Sequence, residues 1–246
     1  TSFNKHGIFS AIPRYVAPDA SCKGCPNAGC CVAVNGGIPQ RGNLSLHLSA
    51  VAAAVRTALP PSFAGVSVLD WEEWYPWYST AGHADDPGHA DGRGIPPALS
   101  PRYIVESRDA ARQAGPRATR SVVEAEAQRA WNASSLVFLV ETLKLCRQLR
   151  PHARWGYYNH ASCWSNDRQL GSRAGPGCIA GQQARNDALA PLWAATDLLL
   201  PSVYSGPLTD TPVLNQTWRV QSQLAEAVRI QHIQRDKQTD RETGRR

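Results

Sequence analysis

The sequence predicts an α/β fold, and among α/β folds it favours a barrel. Helices and strands alternate along the chain, which is the order that parallel βα units produce. Each of three predicted strands ends in side chains that can take part in chemistry, and in a barrel such strand ends meet at one mouth. Because 246 residues with 42% hydrophobic side chains can enclose one substantial core, we expect a single domain over residues 1–246.

The composition excludes several classes of protein. No apolar run approaches the ~20 residues that cross a bilayer, and eight Trp, seven Tyr and four Phe are too many for a disordered chain. The formal charge of +6 suits a polyanionic partner. However, residues 235–246 carry +2 of it, as five basic against three acidic side chains. We expect this charged tail to be disordered. The positive charge therefore indicates either a polyanionic partner or only a solvated tail, and both interpretations stay open.

Residues 1–34 form a Cys-rich segment without clean periodicity, so we expect loops and one short strand near Val32–Val34. Its cysteines are Cys22, Cys25, Cys30 and Cys31. Disulfides are favoured over zinc there, because two adjacent cysteines can hardly both point at one ion. The chain holds seven Cys and no Met. It is therefore expected to be a mature chain or a fragment, with at least one thiol free or bonded elsewhere.

A helix and then a strand are predicted next. Residues 44–59 show helical spacing after Asn43, and Pro60 ends the pattern. Residues 63–74 pass from β-branched residues into acids and aromatics. A period of two places four of them on one strand face, namely Val66, Val68, Asp70 and Glu72. We expect the valines to pack in a core and the carboxylates to open into a site, with Trp71 as a core residue on the opposite face.

The remaining elements follow in chain order. Residues 79–101 are polar and predict a loop, although a duplicated Gly-His-Ala-Asp leaves a metal site as an alternative. Residues 121–149 predict a long helix with a capping box of Ser121 and Glu124. Strands are predicted at residues 154–158 and 198–204, and helices at residues 182–197, interrupted by Pro191, and 220–234.

The two carboxylates predict proton-transfer chemistry. Asp70 and Glu72 lie two residues apart on one face, so their charges repel and one pKa is expected to rise. A carboxylic acid that stays protonated near the working pH is a general acid, and such a group contributes ~10²–10⁴-fold in rate. The alternative for two acids at a strand end is a surface salt bridge.

Six collinear blocks of the sequence closely resemble the hyaluronidases of glycoside hydrolase family 56. They are NGGIPQ (35–40), VLDWEEW (68–74), TLKL (142–145), WGYY (155–158), RND (185–187) and LPSVY (200–204). The resemblance extends from about Asn35 to Arg229. It implies a distorted TIM-like barrel that is incomplete in this chain, a shortened form without the last barrel strands and with the first strand absent or reduced.

The resemblance also implies an activity and its residues. Hyaluronidases of this family hydrolyse β-1,4 bonds after N-acetylglucosamine in hyaluronan with retention of configuration, and the N-acetyl oxygen of the sugar itself attacks the anomeric carbon. Carried over, Glu72 is the acid/base and Asp70 holds the N-acetyl nitrogen. Tyr158 and Tyr204 line the reacting sugar. No metal or other cofactor is implied, and Cys163 and Cys178 match a disulfide of the family.

Aromatic side chains near these residues offer flat faces on which sugar rings can stack, with core packing as the alternative. The candidate substrate-binding residues are Trp74, Tyr75, Trp77 and Tyr157. The family usually has Arg at the position of Tyr75, so a cation that could grip a substrate carboxylate is missing there.

Other assignments stay open beside the leading one. Chondroitin is the alternative substrate within the same family, since some members that the chain resembles prefer it, and a catalytically inactive glycan-binding form is the alternative outside enzymes. Nucleic acid is the least favoured partner, because no basic helix or aromatic-basic motif is present. A monomer is expected, either secreted or lysosomal. Three glycosylation triplets fit the secretory route, at Asn43, Asn132 and Asn215.

Overall fold

The computed structural model describes residues 2–3, 7–17, 31–78, 101–163, 177–178, 180–204 and 213–243. The chain divides into two compact units, with the boundary after Trp155, and the single domain expected over residues 1–246 stays a prediction. In the described ranges, no helix combines the length and apolar character that a bilayer crossing requires. Cys22, Cys25, Cys30 and the duplicated His/Asp loop lie outside the described residues.

Three short strands are present among the described residues of the N-terminal segment. They are β1 (Ser2–Phe3), β2 (Arg14–Val16) and β3 (Val32–Val34). The prediction of β3 is confirmed, and β3 pairs antiparallel with β2. β1 pairs in parallel with a later strand, so the first barrel strand is present in reduced form. A strand of two residues is too short to show a period in the sequence.

The helix and strand predicted next are both confirmed. Helix α1 (Leu44–Ala58) begins after Asn43, whose side chain accepts a hydrogen bond from the Leu46 N–H, and ends before Pro60. Strand β4 (Val66–Leu69) follows, and the register of β1 on β4 pairs Phe3 with Leu69. The predicted strand β5 (Arg154–Tyr157) is also present, and the sheet has the order β1-β4-β5.

The burial of β4 corrects the predicted core face. Ser67 and Leu69 are fully buried, whereas Val66 is 37% exposed. The alternation of faces is therefore as predicted, but the valine side of the strand is the less buried one. An alternating pattern fixes which residues share a face, whereas the elements that cover the sheet decide which face is buried.

Two further helices are formed by the part of the first unit that the structure describes. Helix α2 (Pro101–Ala114) has no counterpart among the predicted elements, and α3 (Arg120–Leu149) is the predicted long helix. The cap of α3 corrects the prediction, because Thr119 rather than Ser121 accepts the Val122 N–H. α3 packs against both α1 and α2. An ion pair of 2.6 Å between Arg108 and Glu124 joins α2 to α3.

In the second unit, the described residues form three helices. They are α4 (Ala180–Ala188), α5 (Ala190–Ala195) and α6 (Val213–Thr243). The predicted interruption by Pro191 is confirmed, since Pro191 lies in the first turn of α5. The expected disulfide between Cys163 and Cys178 is present. α6 packs against α4 and α5.

Two predictions for the second unit are wrong. Residues 198–204 do not form a strand, and their sheet pairing is a single parallel bridge between Leu200 and Tyr158. The tail expected to be disordered from residue 235 is helical to Thr243, because α6 continues past the predicted end at residue 234. Arg, Lys and Glu are good helix formers, so a tail rich in them does not by itself end a helix.

Candidate active site

Asp70 and Glu72 stand at the carboxyl end of β4. The Asp70 N–H donates to the Phe3 carbonyl oxygen at 2.8 Å, which extends the ladder between β1 and β4 by one bond. Asp70 is half-buried and Glu72 is exposed. Within the part of the chain that the structure describes, the shielded Oδ1 atom of Asp70 has no hydrogen-bond partner. An acceptor in that position is suited to receive a donor from a ligand.

The electrostatics of this pair agree with the predicted direction. Burial raises the pKa of Asp70 above its ordinary value. The pKa of Glu72 is also raised, first by partial burial and then by the charge of Asp70. Repulsion is therefore the smaller of the two causes of the raised pKa of Glu72. The pKa values of both carboxyl groups are raised, whereas the sequence predicted a rise in only one. Glu72 can hold a proton at a pH at which an ordinary glutamate has lost it.

Trp71 and Trp74 form part of an aromatic core. Trp71 is fully buried, as predicted, and Trp74 is only 1% exposed. The Trp74 indole N–H donates to the Pro13 carbonyl oxygen at 2.7 Å, and the Trp74 ring meets Trp71 and Trp131 edge to face, with centroids 5.2 and 5.8 Å apart. The expectation that Trp74 stacks on a sugar is therefore wrong, because core contacts occupy its ring.

Two more of the candidate stacking residues are buried. Tyr75 and Tyr157 expose less than a twentieth of their surfaces, so the sugar-stacking role expected of each is corrected as well. The Tyr157 ring packs against His160, with centroids 4.8 Å apart. Trp77 retains a partly exposed side chain, packed on one side by Tyr75 at 6.2 Å between centroids. A role of Trp77 in substrate binding stays a prediction.

Tyr158 and Tyr204 meet in the second unit. Their rings form a T-shaped pair with centroids 6.3 Å apart, and Tyr204 is 74% exposed. The Tyr158 hydroxyl donates to the Ser202 hydroxyl oxygen at 2.9 Å. Sequence reasoning did not single out Ser202, although it lies in the same five-residue block as Tyr204. The structure thus joins the site residues in two pairs, one in each unit.

The cysteines and glycosylation triplets have varied surroundings. Cys146 is a buried free thiol, and burial raises its pKa. Asn43 is exposed but serves as the N-cap of α1. Asn132 lies inside α3, half-buried, and its side-chain oxygen accepts the Tyr78 N–H at 2.6 Å. Asn215 lies in the first turn of α6. Glycosylation at all three stays a prediction.

Comparisons with known proteins give one consistent family. The family model described as hyaluronidase matches residues 27–241. Hyaluronidase-3 of Sus scrofa is 35% identical over 80% of this chain and 43% of its own length. The hyaluronidase of Polybia paulista is 32% identical over 80% of this chain and 62% of its own length. This chain therefore spans about half the length of the curated relatives it matches.

Solved structures agree with the sequence matches. The crystal structure of bee venom hyaluronidase is 30% identical with a TM-score of 0.67, covering 80% of this chain and 57% of that one. The structure of bee venom hyaluronidase in complex with a hyaluronic acid tetramer is 29% identical with a TM-score of 0.71, covering 89% and 60%. These likenesses confirm the predicted fold class, an incomplete α/β barrel of the TIM-like kind.

Proposed function

The chain belongs to the hyaluronidase family, glycoside hydrolase family 56, and from that premise we propose that it hydrolyses the β-1,4 bonds of hyaluronan that follow N-acetylglucosamine. The observation that carries the proposal is the pair of carboxyl groups at the end of β4, of which Glu72 is exposed and has a raised pKa. A proton donor at the carboxyl end of a barrel strand is the arrangement expected of a glycosidase.

In this proposal Glu72 is the general acid. It donates its proton to the glycosidic oxygen as the bond to the anomeric carbon breaks, so that the leaving sugar departs as a neutral alcohol. The resulting carboxylate then takes a proton from the water that attacks the anomeric carbon in the second step. The raised pKa matters for the first step, because only the protonated form of Glu72 can act there.

Asp70 orients the attacking group. The nucleophile is the N-acetyl oxygen of the substrate, so retention of configuration needs no second carboxylate as nucleophile, unlike the usual retaining layout. The carboxylate of Asp70 accepts the N–H of the acetamide and stabilises the positive charge that develops on it. The unpartnered Oδ1 atom of Asp70 supports this role among the described residues.

Tyr158 and Tyr204 are proposed to line the reacting sugar. The exposed side chain of Tyr204, whose ring meets Tyr158 edge to face, supports contact with a ligand, with Tyr204 close to the acetamide. Trp77 is the remaining candidate for sugar stacking, since its ring is partly exposed. Tyr75 brings no cation to a substrate carboxylate, which favours contacts with the hexosamine over contacts with the uronic acid.

The decisive experiment is the substitution Glu72→Gln. The release of reducing ends from hyaluronan is measured with the purified chain, and kcat is expected to fall ~10²–10⁴-fold because the proton donor is lost. Glu73→Gln is the matched control at the adjacent position and is expected to retain most of the activity. Unchanged turnover in Glu72→Gln would remove Glu72 from the mechanism.

Two alternatives are tested beside the leading proposal. Chondroitin differs from hyaluronan in one hexosamine epimer and in sulfation, so parallel measurements on both polymers give the substrate preference as a ratio of kcat/KM. The observation in support of a non-catalytic glycan-binding form is Tyr75, which stands where the family usually has Arg. That form would bind hyaluronan oligosaccharides at equilibrium and leave them uncleaved after long incubation.

We further propose that the protein follows the secretory route and acts outside the cytosol, whether secreted or lysosomal. The disulfide between Cys163 and Cys178 supports an oxidising compartment. The glycosylation triplets fit the same route. Peptide-N-glycosidase treatment of the protein expressed in a secreting cell tests this directly, since a shift in mass reports glycan at Asn43, Asn132 or Asn215.

A further inference from the structure

The turn of residues 158–163 connects Tyr158 to the disulfide-bonded Cys163. Its first residues are fixed at Leu200, which forms the parallel bridge with Tyr158 and accepts the Asn159 N–H at 2.8 Å. Asn159 has φ of +57°, a left-handed conformation that Asn tolerates better than most residues. Residues 159–163 are all buried. The position of Tyr158 is therefore coupled to the position of the whole turn.

The end of the turn is held by two side-chain amides. The Asn186 side chain donates to the Ser162 carbonyl oxygen at 2.9 Å. The Cys163 N–H donates to the side-chain oxygen of Gln223 at 2.8 Å. Both amide side chains are buried. They replace the backbone partners that buried N–H and C=O groups of a turn would otherwise lack.

The charged pair of Glu226 and Arg229 holds the side chain of Asn186 in place. Its side chain donates to Glu226 Oε1 at 2.7 Å, and both Glu226 oxygens accept hydrogen bonds from Arg229 at 2.7 and 2.8 Å. Arg229 also donates to Asp187 at 2.8 Å. Glu226 is 2% exposed. A carboxylate so deeply buried needs such partners, and once they are supplied it is held in one position.

We propose that Asn186 and Glu226 are positioning residues, which hold the turn of residues 158–163 and thereby set the place of the Tyr158 hydroxyl. Neither side chain touches substrate. They act through the turn, whose other end carries the hydrogen bond from Tyr158 to Ser202. The inference rests on the proposed function, in which Tyr158 lines the reacting sugar. A misplacement of about 1 Å in an active site can cost ~10²-fold in rate.

Two variants test the proposal. Asn186→Leu keeps the volume of the side chain and removes its donor. Glu226→Gln retains an oxygen that can accept from Asn186 but removes the charge that holds Arg229, so it perturbs the network with less risk to folding. The matched control is Glu126→Gln, which breaks the exposed ion pair of the same i,i+3 geometry between Glu126 and Arg129 on α3.

Each variant is measured in two ways. The kcat and KM for hyaluronan are expected to separate, with kcat at least about ten-fold lower and KM within about three-fold, since the substrate contacts remain. In addition, 3-fluorotyrosine is placed at position 158 and its ¹⁹F resonance is recorded. The resonance is expected to shift or broaden in both variants and to stay in place in the control.

The ¹⁹F measurement separates this proposal from the proposed function. If the native chain does not cleave hyaluronan, the proposed function fails while the resonance still reports the position of Tyr158. An unmoved resonance in folded Asn186→Leu and Glu226→Gln overturns the positioning role. So does a loss of kcat that only matches the loss of folded protein, or a failure of both variants to fold, since each of these results assigns the network to stability alone.

Discussion

The Nε2 atom of His47 lies 2.8 Å from the hydroxyl oxygen of Thr142 in the core of the first unit. The Thr142 hydroxyl donates its own hydrogen to the Phe138 carbonyl oxygen at 2.7 Å, so it accepts from His47. The geometry therefore assigns the ring hydrogen of neutral His47 to Nε2. The rings of Phe9 and Phe138 flank the imidazole, with centroids 6.4 and 5.4 Å away. His47 is fully buried, so its ring is shielded from bulk solvent.

This burial makes the stability of the first unit depend on pH. Burial lowers the pKa of His47 from 6.5 to about 4. Because the unfolded chain then binds the proton more readily than the folded one, the stability is fully present above pH 6.5 and is lost as the pH falls towards 4. We expect the free energy of unfolding to fall by about 3 kcal/mol over that window on account of His47.

The measurement compares His47→Gln with the native chain by urea unfolding at several pH values. A glutamine amide can still donate to Thr142 but does not titrate, so the variant should lose about 3 kcal/mol less than the native chain between pH 6.5 and 4. The control His152→Gln, at an exposed position, should leave the slope unchanged. Parallel slopes for His47→Gln and the native chain would contradict the prediction.

The pKa of Glu72 should respond to removal of its neighbour's charge. Burial is the larger cause of its raised pKa and the charge of Asp70 the smaller one, so Asp70→Asn is expected to lower the pKa only part of the way to its ordinary value. The δ-carboxyl ¹³C resonance of Glu72, followed through a pH titration, gives the pKa directly. A full return to the ordinary value would mean that repulsion alone raises it.

Trp74 should matter for stability, and Trp77 for substrate binding. Trp74→Phe removes the hydrogen bond to Pro13 and part of the aromatic core, so we expect a loss of about 1–3 kcal/mol in the free energy of unfolding and an unchanged KM. Trp77→Ala removes a partly exposed ring and should raise the KM for hyaluronan instead. The two values are obtained from urea unfolding and steady-state kinetics. The reverse pattern would restore Trp74 as a sugar-binding residue.

Local signals in the sequence predict the elements that local forces control. The cap at Asn43, the stop at Pro60 and the break at Pro191 all act within a few residues, and each is present in the structure. Trp71 is fully buried, as predicted, although alternation along β4 gives only the face on which it lies. Such features depend on backbone geometry and on nearest neighbours, which the sequence records directly.

Tertiary contacts decide the features that the sequence does not predict. Ser67 is buried and Val66 is not, although hydrophobicity predicts the opposite. The elements packed over β4 determine which of its faces is buried. Tyr75 and Tyr157 look like exposed aromatics beside a site, yet they are buried. The candidate acids were predictable because a strand end and a two-residue spacing are local features. Which aromatics remain free to meet a ligand depends on the packing of distant segments.

Arg150 provides a last test of such a distant contact. It follows α3, is buried, and donates to the carbonyl oxygens at the end of α1, from Nε to Leu59 at 3.1 Å and from Nη2 to Val55 at 3.4 Å. The Val55 carbonyl oxygen also accepts the Leu59 N–H at 3.0 Å, whereas the Leu59 carbonyl oxygen lies past the last turn of α1, where the helix itself offers no donor. We therefore expect Arg150→Met, which keeps the stem but removes the donors, to cost about 2–4 kcal/mol in urea unfolding.

A conservative variant and a control show whether the loss of stability in Arg150→Met is due to its hydrogen bonds. Arg150→Lys should lose less than Arg150→Met, because one ammonium group can serve part of the set that the planar guanidinium serves. Arg56→Met changes an exposed arginine in the last turn of α1 and should stay within about 0.5 kcal/mol of the native chain. If Arg150→Met stays within the same limit, the carbonyls at the end of α1 are satisfied without Arg150, and the link between α1 and α3 depends on apolar packing alone.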